Sequence, residues 1–260
     1  MKIGFLGAGN MGGAIAKAVK KAGEYEILLC DTDVEKARLL AQEIGAKAAS
    51  LEDLSGADVI FLAVKPQVLP FALRKLLPLV KGAPLYVSMA AGVPLAILTE
   101  TVRSEKVIRI MPNTPVSVGL GMTVYAKGKA VSKADEETFL AVMQKSGVVL
   151  PLPEDKIDAA SAVSGCGPAF ACLFAEGLAD GGVAAGLPRD VALLLAAQMM
   201  KGTAQLLLST GAHPGALKDA VCSPGGSTIE GVRALEEGAF RGTVMDAVTA
   251  AYEKTVALGK

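Results

Sequence analysis

An α/β fold is predicted for the first part of this chain, a doubly wound and mostly parallel sheet, with an all-helical C-terminal domain after it. Three observations predict it. Short apolar runs alternate with helical patterns from Lys2 to Glu105, the order that lays parallel strands beneath crossover helices. A glycine-rich turn sits directly between the first run and the first helix. Beyond Pro151-Leu152-Pro153-Glu154-Asp155 the pattern turns wholly helical, so the expected domains are 1–153 and 154–260. A chain of 260 residues is long enough to bury the core of one large or two smaller domains.

The first run, Lys2-Ile3-Gly4-Phe5-Leu6, enters Gly7-Ala8-Gly9-Asn10-Met11-Gly12, and a helical stretch with Ile15, Ala18 and Val19 on one face follows. In this G-x-G-x-x-G the first glycine permits a tight turn and the second lets a pyrophosphate approach the backbone. The third lets helix pack close to strand. The spacing alone is weak evidence; strand, glycines and helix in the required order make it a Rossmann-like dinucleotide site. A second apolar strand, 27–30, ends at Asp31, nineteen residues past Gly12. A carboxylate there accepts hydrogen bonds from the ribose hydroxyls of NAD and repels the additional phosphate of NADP. Thr32 and Asp33 come next, and the nearest bases are Lys36 and Arg38 in the following helix. Asp31 therefore favours NADH and leaves NADPH open; the plainer alternative is that Asp31 or Asp33 caps that helix.

Further strands are expected at 59–64, 85–87 and 107–110, then at 122–125 and 148–152 around a helix near 133–145. Ligands of open parallel sheets sit at the carboxyl ends of the strands, and three segments there are unlike ordinary loops. Ala63-Val64-Lys65-Pro66 brings a cation, either a cofactor contact or a solvated lysine. Ser88-Met89-Ala90-Ala91-Gly92 is small enough for a flat ring to lie close. Met111-Pro112-Asn113-Thr114-Pro115, just after Arg109, is a stiff polar turn or a rigid connector.

Helices are expected at 156–163, 166–186, 189–209, 214–221 and, with breaks, 228–258. Gly177, Gly181, Gly182 and Gly186 lie in or beside the second of these, unfavourable positions unless packing there is close. The stretch 191–208 nears the length of a membrane span, but Gln198, Lys201 and Gln205 interrupt it, and the lysine alone is costly in a bilayer. It reads as a soluble helix that is apolar on nearly every face. A domain of about a hundred residues cannot cover such a helix alone, so association into a homodimer or higher homo-oligomer is expected. Lys plus Arg equals Asp plus Glu at 26 each, which marks neither a nucleic-acid nor a membrane partner. A strand beginning at Lys2 leaves no room for a signal peptide, and Cys30, Cys166, Cys172 and Cys222 form no C-x-x-C pair. A cytoplasmic protein with free thiols is expected. One histidine is too few for a His-rich metal site, and no metal is expected.

The stretch 213–230 reads H-P-G-A-L-K-D-A-V-C-S-P-G-G-S-T-I-E. Pro224, Gly225 and Gly226 break the chain, and Ser227-Thr228-Ile229-Glu230 fits the S/T-x-x-E capping box with Ser227 as the predicted cap. A helix start reached through glycines offers free N–H groups and the positive end of a dipole, which suits a small carboxylate. The hydroxyls of Ser223, Ser227 and Thr228 are able to hydrogen-bond a neutral or cationic nitrogen. Taken alone, however, the stretch reads first as a plain capped helix. His213 reads as a turn residue ahead of Pro214 rather than a proton donor.

Together these segments resemble the pyrroline-5-carboxylate reductase family. The resemblance rests on G-A-G-N-M-G (7–12), A-V-K-P (63–66), A-A-G-V (90–93), M-P-N-T-P (111–115), S-G-C-G-P-A (164–169), A-D-G-G-V (179–183), H-P-G-x-L-K-D (213–219) and S-P-G-G-S-T (223–228). It spans nearly the whole chain, and its C-terminal motifs are far more specific than the glycine motif. It implies reduction of a cyclic imine, pyrroline-5-carboxylate, to L-proline by NADPH or NADH, the last step of proline biosynthesis. It also implies a helical domain interleaved with a partner's and a substrate site at that junction. By the same resemblance Thr228 hydrogen-bonds the ring nitrogen, the backbone of Gly226, Ser227 and Thr228 holds the substrate carboxylate, and Ser223 lies near the carboxamide end of the nicotinamide. Candidate cofactor contacts are Gly7, Ala8, Gly9, Asn10, Met11, Gly12, Asp31, Ser50, Val64, Lys65, Ala91 and Ser223. The chain departs from the family at Asp31, where a serine or similar small residue is usual and NADPH is preferred. It departs again at Cys166, where the family often has serine.

Two other readings compete. A beta-hydroxyacid dehydrogenase shares the N-terminal glycine motif but needs a lysine in the helical domain, and Lys201 and Lys218 lack that family's glycine-rich context. A non-catalytic nucleotide sensor has little reason to retain residues 223–228.

Overall fold

The computed structural model describes residues 1–258, of which 1–166 and 251–258 form one compact unit and Gly167–Ala250 another. In the first unit β1 (Lys2–Leu6), β2 (Glu26–Cys30), β3 (Lys47–Ala48), β4 (Val59–Leu62), β5 (Leu85–Ser88), β6 (Val107–Met111), β7 (Gly121–Lys127) and β8 (Gly147–Pro151) make one sheet in the order 3-2-1-4-5-6-7-8. Neighbouring strands are parallel except β6 and β7. The chain winds outward one way from β1 through β2 and β3 and the other way through β4 to β6, the doubly wound pattern.

Helices on both sides bury the sheet, which is why its central strands are apolar without alternation. Phe5 of β1 stacks on Phe61 of β4 with centroids 4.7 Å apart, in register across the pair. One face packs α1 (Asn10–Ala22), α2 (Val34–Ile44) and α6 (Lys133–Met143). The other packs α3 (Leu51–Leu54), α4 (Leu69–Leu76), α5 (Leu95–Val102) and α7 (Ile157–Ala160). α1 turns Ile15, Ala16, Ala18 and Val19 inward and carries Lys20 and Lys21 in its last turn, where they complement the dipole.

Three expectations change. β4 stops at Leu62: the Ala63 N–H bond to the Leu6 carbonyl at 2.8 Å completes its pairing with β1, and Val64 already lies in the bend that follows. β3 is a further strand of two exposed residues. The helix expected at 156–163 is instead a 3-10 turn Glu154–Lys156, then α7, then a π-helical turn Ser161–Gly165. That last turn closes when the Cys166 N–H reaches back five residues to the Ser161 carbonyl at 3.0 Å, a geometry often seen at functional sites.

The second unit is wholly helical: α8 (Gly167–Ala184), α9 (Arg189–Thr210), α10 (Pro214–Val221), α11 (Ser227–Glu237) and most of α12 (Phe240–Leu258). The break between α11 and α12 falls at Gly238 and Ala239, the latter with φ +52°. Close packing explains Gly182, where a Cβ would lie 3.2 Å from Ala192 Cβ, but Gly177 and Gly181 face open space. α9 buries only Ala192 and Ala196. By length and composition α9 and the helical run 154–184 are each sufficient to cross a membrane, yet Lys201 stands in the middle of α9.

Candidate active site

In the first unit the candidate residues gather along one edge of the sheet. β1 to β6 run parallel, so Gly7, Asp31, Ser50, Val64, Lys65 and Ala91 all follow the carboxyl ends of strands. The loops there are stitched to one another: the Gly7 N–H donates to the Cys30 carbonyl at 2.7 Å and the Met89 N–H to the Leu62 carbonyl at 3.2 Å. Gly7 has φ +107°, and a Cβ on it would lie 2.5 Å from the Ala63 carbonyl oxygen; neither the backbone nor the space admits a side chain. A Cβ on Gly12 would lie 2.5 Å from the Gly7 oxygen, so the third glycine does bring helix against turn.

Gly9 is different. A Cβ there would meet only Lys36 Nζ, at 3.8 Å, leaving this side of the loop open to a ligand. Gly9 is also the N-cap of α1, with no side-chain cap among the described residues. The N–H groups of Asn10, Met11 and Gly12 therefore lack intrahelical partners at the positive end of a 13-residue helix, and a dinucleotide diphosphate fits that arrangement. A cleft of about 400 Å³ runs alongside, lined among others by Gly9, Asn10, Ala14, Lys36 and Ser117. Lys17 on its rim pairs with Glu43, and nearby Arg38 pairs with Glu35. Lys36 makes no ion pair among the described residues. In the sequence it stood out only as a nearby base.

Of the two aspartates that the sequence offered as a cap, the structure uses Asp33. Asp33 is the N-cap of α2, its Oδ1 accepting the Lys36 N–H at 3.0 Å. Asp31 Oδ2 accepts the Ala8 N–H at 2.7 Å and its Oδ1 the Asp33 N–H at 3.0 Å, tying the glycine loop to the end of β2. Oδ1 also accepts from Thr32 Oγ1 at 3.4 Å, so it is Oδ2 that retains a lone pair for a ribose hydroxyl. Burial, followed by the Asp31 charge, pushes the neighbouring Cys30 thiol up, so it stays protonated and inert. Ser50 caps α3 in a capping box with Asp53, its Oγ accepting the Asp53 N–H at 3.2 Å. Lys65 is exposed.

Asn113 behaves as the connector reading expects. Buried, it donates from Nδ2 to the Ser164 carbonyl at 2.9 Å and accepts the Met122 N–H at 2.8 Å. It thereby joins its own loop to β7 and to the π-helical turn. The buried Arg109 and its half-buried partners Glu154 and Asp158 form a polar group that sequence reasoning passed over. The signal was present: a charged residue inside V-I-R-I-M.

In the second unit His213 caps α10, its Nδ1 accepting the Gly215 N–H at 3.0 Å, a turn residue as expected. Ser223-Pro224-Gly225-Gly226 closes on a Gly226 N–H to Ser223 carbonyl bond of 3.0 Å. Proline second and a glycine of φ +66° third are the marks of a type II turn. A Cβ on Gly226 would lie 2.5 Å from Ser223 Oγ, so glycine is what lets that hydroxyl fold over the turn.

The capping box expected at Ser227 does not form. Gly226, in extended backbone, is the N-cap of α11 and Ser227 is already its first helical residue. The positive φ of Gly225 starts the helix one residue before the S/T-x-x-E register assumes, and Glu230 bonds Arg233 at 3.0 Å instead. Of the three N–H groups expected to hold a carboxylate, that of Gly226 is engaged within the turn. Those of Ser227 and Thr228 begin an 11-residue helix with no side-chain cap among the described residues, and the Thr228 side chain is exposed beside them. Donors for an anion thus adjoin a neutral hydroxyl. Among the described residues no group of His, Cys, Asp and Glu is placed to hold a metal ion.

Comparison with known proteins agrees over both units. The family model for pyrroline-5-carboxylate reductase dimerisation matches residues 154–258, and that for coenzyme F420-dependent NADP oxidoreductases matches 2–92. A pyrroline-5-carboxylate reductase of Pisum sativum is 41% identical over 258 residues, covering 97% of this chain and 94% of that protein. One of Escherichia coli strain K12 is 40% identical over 265 residues, covering 100% and 98%. The crystal structure of a Plasmodium falciparum pyrroline carboxylate reductase with NADP bound is similar at a TM-score of 0.90 and 33% identity, covering 100% of this chain and 98% of that one.

Proposed function

This chain belongs to the pyrroline-5-carboxylate reductase family, and from that premise we propose how its own residues carry the reaction. It is an NAD(P)H-dependent oxidoreductase of proline biosynthesis. The carbon of the protonated C=N bond gains a hydride, that bond's π electrons become the nitrogen lone pair, and L-proline results. When bound, the reduced nicotinamide dinucleotide supplies the hydride. A protonated imine is already electrophilic, so the protein has to position it rather than activate it with a strong acid.

Thr228 Oγ1 accepts a hydrogen bond from the ring N–H, while the N–H groups of Ser227 and Thr228 hold the substrate carboxylate at the start of α11. Gly226 supplies the turn that exposes them, and Ser223 borders the carboxamide end of the nicotinamide. Gly7 to Gly12 receive the diphosphate and Asp31 the ribose; Ser50, Val64, Lys65 and Ala91 complete the cofactor wall. The observation that carries this reading is the uncapped α11 start directly after a Ser-Pro-Gly-Gly turn. It brings carboxylate donors and a hydroxyl together with no competing cap.

The functional division we propose is 1–153 for the dinucleotide and 154–260 for substrate and association. It falls earlier than the compact units because the connector 154–166 packs with the sheet. The protein is a homo-oligomer, and we assign a second copy's helices to the apolar cavity of about 670 Å³ lined in part by Phe170, Leu173, Phe174, Leu235, Phe240 and Val244. A reducing, cytoplasmic setting is supported by four cysteines that are all free. Purified protein should oxidise NADPH or NADH only when pyrroline-5-carboxylate or a close cyclic imine is supplied. No turnover with either cofactor, in protein shown to bind one, overturns the assignment.

A further inference from the structure

Arg109 stands in the middle of an apolar strand and is 2% exposed. A guanidinium so buried needs partners, and both come from the connector that follows β8. Its Nη2 donates to Asp158 Oδ1 at 2.5 Å and its Nη1 to Glu154 Oε1 at 3.4 Å. The same Glu154 oxygen accepts the Leu95 N–H at 2.5 Å, across 59 residues of sequence. The N-cap of α5 is Pro94, which gives it no side-chain cap. Glu154 is therefore the cap of α5, supplied from a distant part of the chain and placed where a carboxylate favours the helix dipole.

The loop that leads into α5 is thus held at both ends. At its start Ser88 lies opposite Arg109 in register, and Ser88 Oγ accepts the Ala90 N–H at 3.3 Å. At its end Glu154 holds Leu95. Between them Ala90, Ala91 and Gly92, the last with φ +73°, have no long side chains with which to fix themselves. A buried ion pair is weak evidence of stability; a carboxylate divided between a locked arginine and a helix start defines a position instead.

We propose that Glu154 is a positioning residue for the reductase reaction: held by Arg109, its carboxylate sets the register of loop 88–94 and so of the wall against which the nicotinamide ring lies. The inference rests on the reading of that loop as cofactor wall. Glu154→Gln keeps an acceptor oxygen and loses the charge; Glu154→Ala removes both. In hydrogen exchange on the protein alone, the Leu95 amide should exchange about tenfold faster in Glu154→Ala than in the wild type, with Glu154→Gln between them. In single turnovers saturated with NADPH, imine reduction per folded molecule should fall roughly ten- to a hundredfold in Glu154→Ala and less in Glu154→Gln, since small displacements of reacting groups are costly. NADPH affinity, by fluorescence titration, should move by less than about threefold, because the diphosphate site is untouched. Unchanged Leu95 exchange overturns the proposal, as does a variant that loses only thermal stability and keeps the wild-type single-turnover rate. Where Glu154→Ala does not fold, Glu154→Gln decides by the same two readouts. A wild type that reduces no imine overturns the reductase reading itself, and the exchange arm, which needs neither cofactor nor substrate, tells the two failures apart.

Discussion

Thr228 is exposed in the first turn of α11, and the cap of that helix is the Gly226 backbone, so the threonine hydroxyl is free of structural duty there. Thr228→Ala should therefore leave folding and cofactor binding intact. Losing the proposed hydrogen bond to the substrate nitrogen should lower kcat/KM for the imine by roughly 1.5–3 kcal/mol, ten- to a hundredfold. Thr228→Ser should retain most activity, because the hydroxyl rather than the methyl has the role. Kinetics normalised to folded, cofactor-bound protein check this; an unimpaired alanine variant moves the contact to Ser227 or Ser223. Asp31 clamps the Ala8 N–H at 2.7 Å, and the reading proposed above gives it the ribose as well. Asp31→Ser removes a charge close to where the additional phosphate of NADPH would sit, and Lys36 stands near the same loop. The change should favour NADPH over NADH by roughly 1–3 kcal/mol, five- to a hundredfold, read from the two dissociation constants. A wild type that already prefers NADPH strongly, or a preference that does not move, means that Asp31 does not face the ribose.

At the scale of elements, β7 turns back antiparallel against β6 and is fastened to α6 by the Tyr125 hydroxyl, which donates to Glu136 Oε1 at 2.8 Å. Burial, then the hydrogen bond to Glu136 and its charge, pushes the Tyr125 phenol up from 10.0 to about 12. A pKa raised by folding gives a contribution that is whole below the unfolded value and is lost as pH rises through the folded one. Denaturant melts should find the stability advantage of wild type over Tyr125→Phe constant up to about pH 10 and shrinking towards about pH 12. An advantage that does not change across that window means that the phenol titrates normally. Elements whose signal is local were legible in the sequence. β1, its glycine turn and α1 are dictated by adjacent residues, and their predicted order is the observed one. β3 is defined only by the pairing of Lys47 and Ala48 with Leu28 and Leu29, and two exposed residues carry no periodicity. The α11 start was displaced by one residue because Ser-Thr-Ile-Glu fits a capping box, whereas the positive φ of Gly225 fixes where the helix begins. Arg109 was visible as a charge in a strand, but Glu154 and Asp158 come from a connector dozens of residues later, and no local pattern announces that meeting.

At the scale of the whole molecule, the arithmetic of α9 demands a partner. Ala192 and Ala196 are 4% and 5% exposed, while Leu194 between them is 69% exposed and Leu208 79%. At about 100° per residue, Leu194 lies roughly 200° from Ala192, on the opposite side of the helix from the face packed on α8. Leu173 and Met245 are likewise 68% and 69% exposed. Apolar side chains left in water on this scale mark an association surface, and the match to a dimerisation model covers these residues. Sedimentation at micromolar concentration should therefore show no stable folded monomer, and the Tm should fall on dilution because association and folding are linked by mass action. Leu194→Glu places a carboxylate where a second copy would bury it unpaired. It should weaken association at least about tenfold, or 1.4 kcal/mol, with reductase activity falling in step with the associated fraction and recovering as concentration rises. The concentration dependence is the discriminating readout, since damage confined to one chain lowers activity equally at every dilution. A wild type that sediments as a well-behaved monomer with full activity removes the second copy from the site, and with it the reason for an apolar face of this extent.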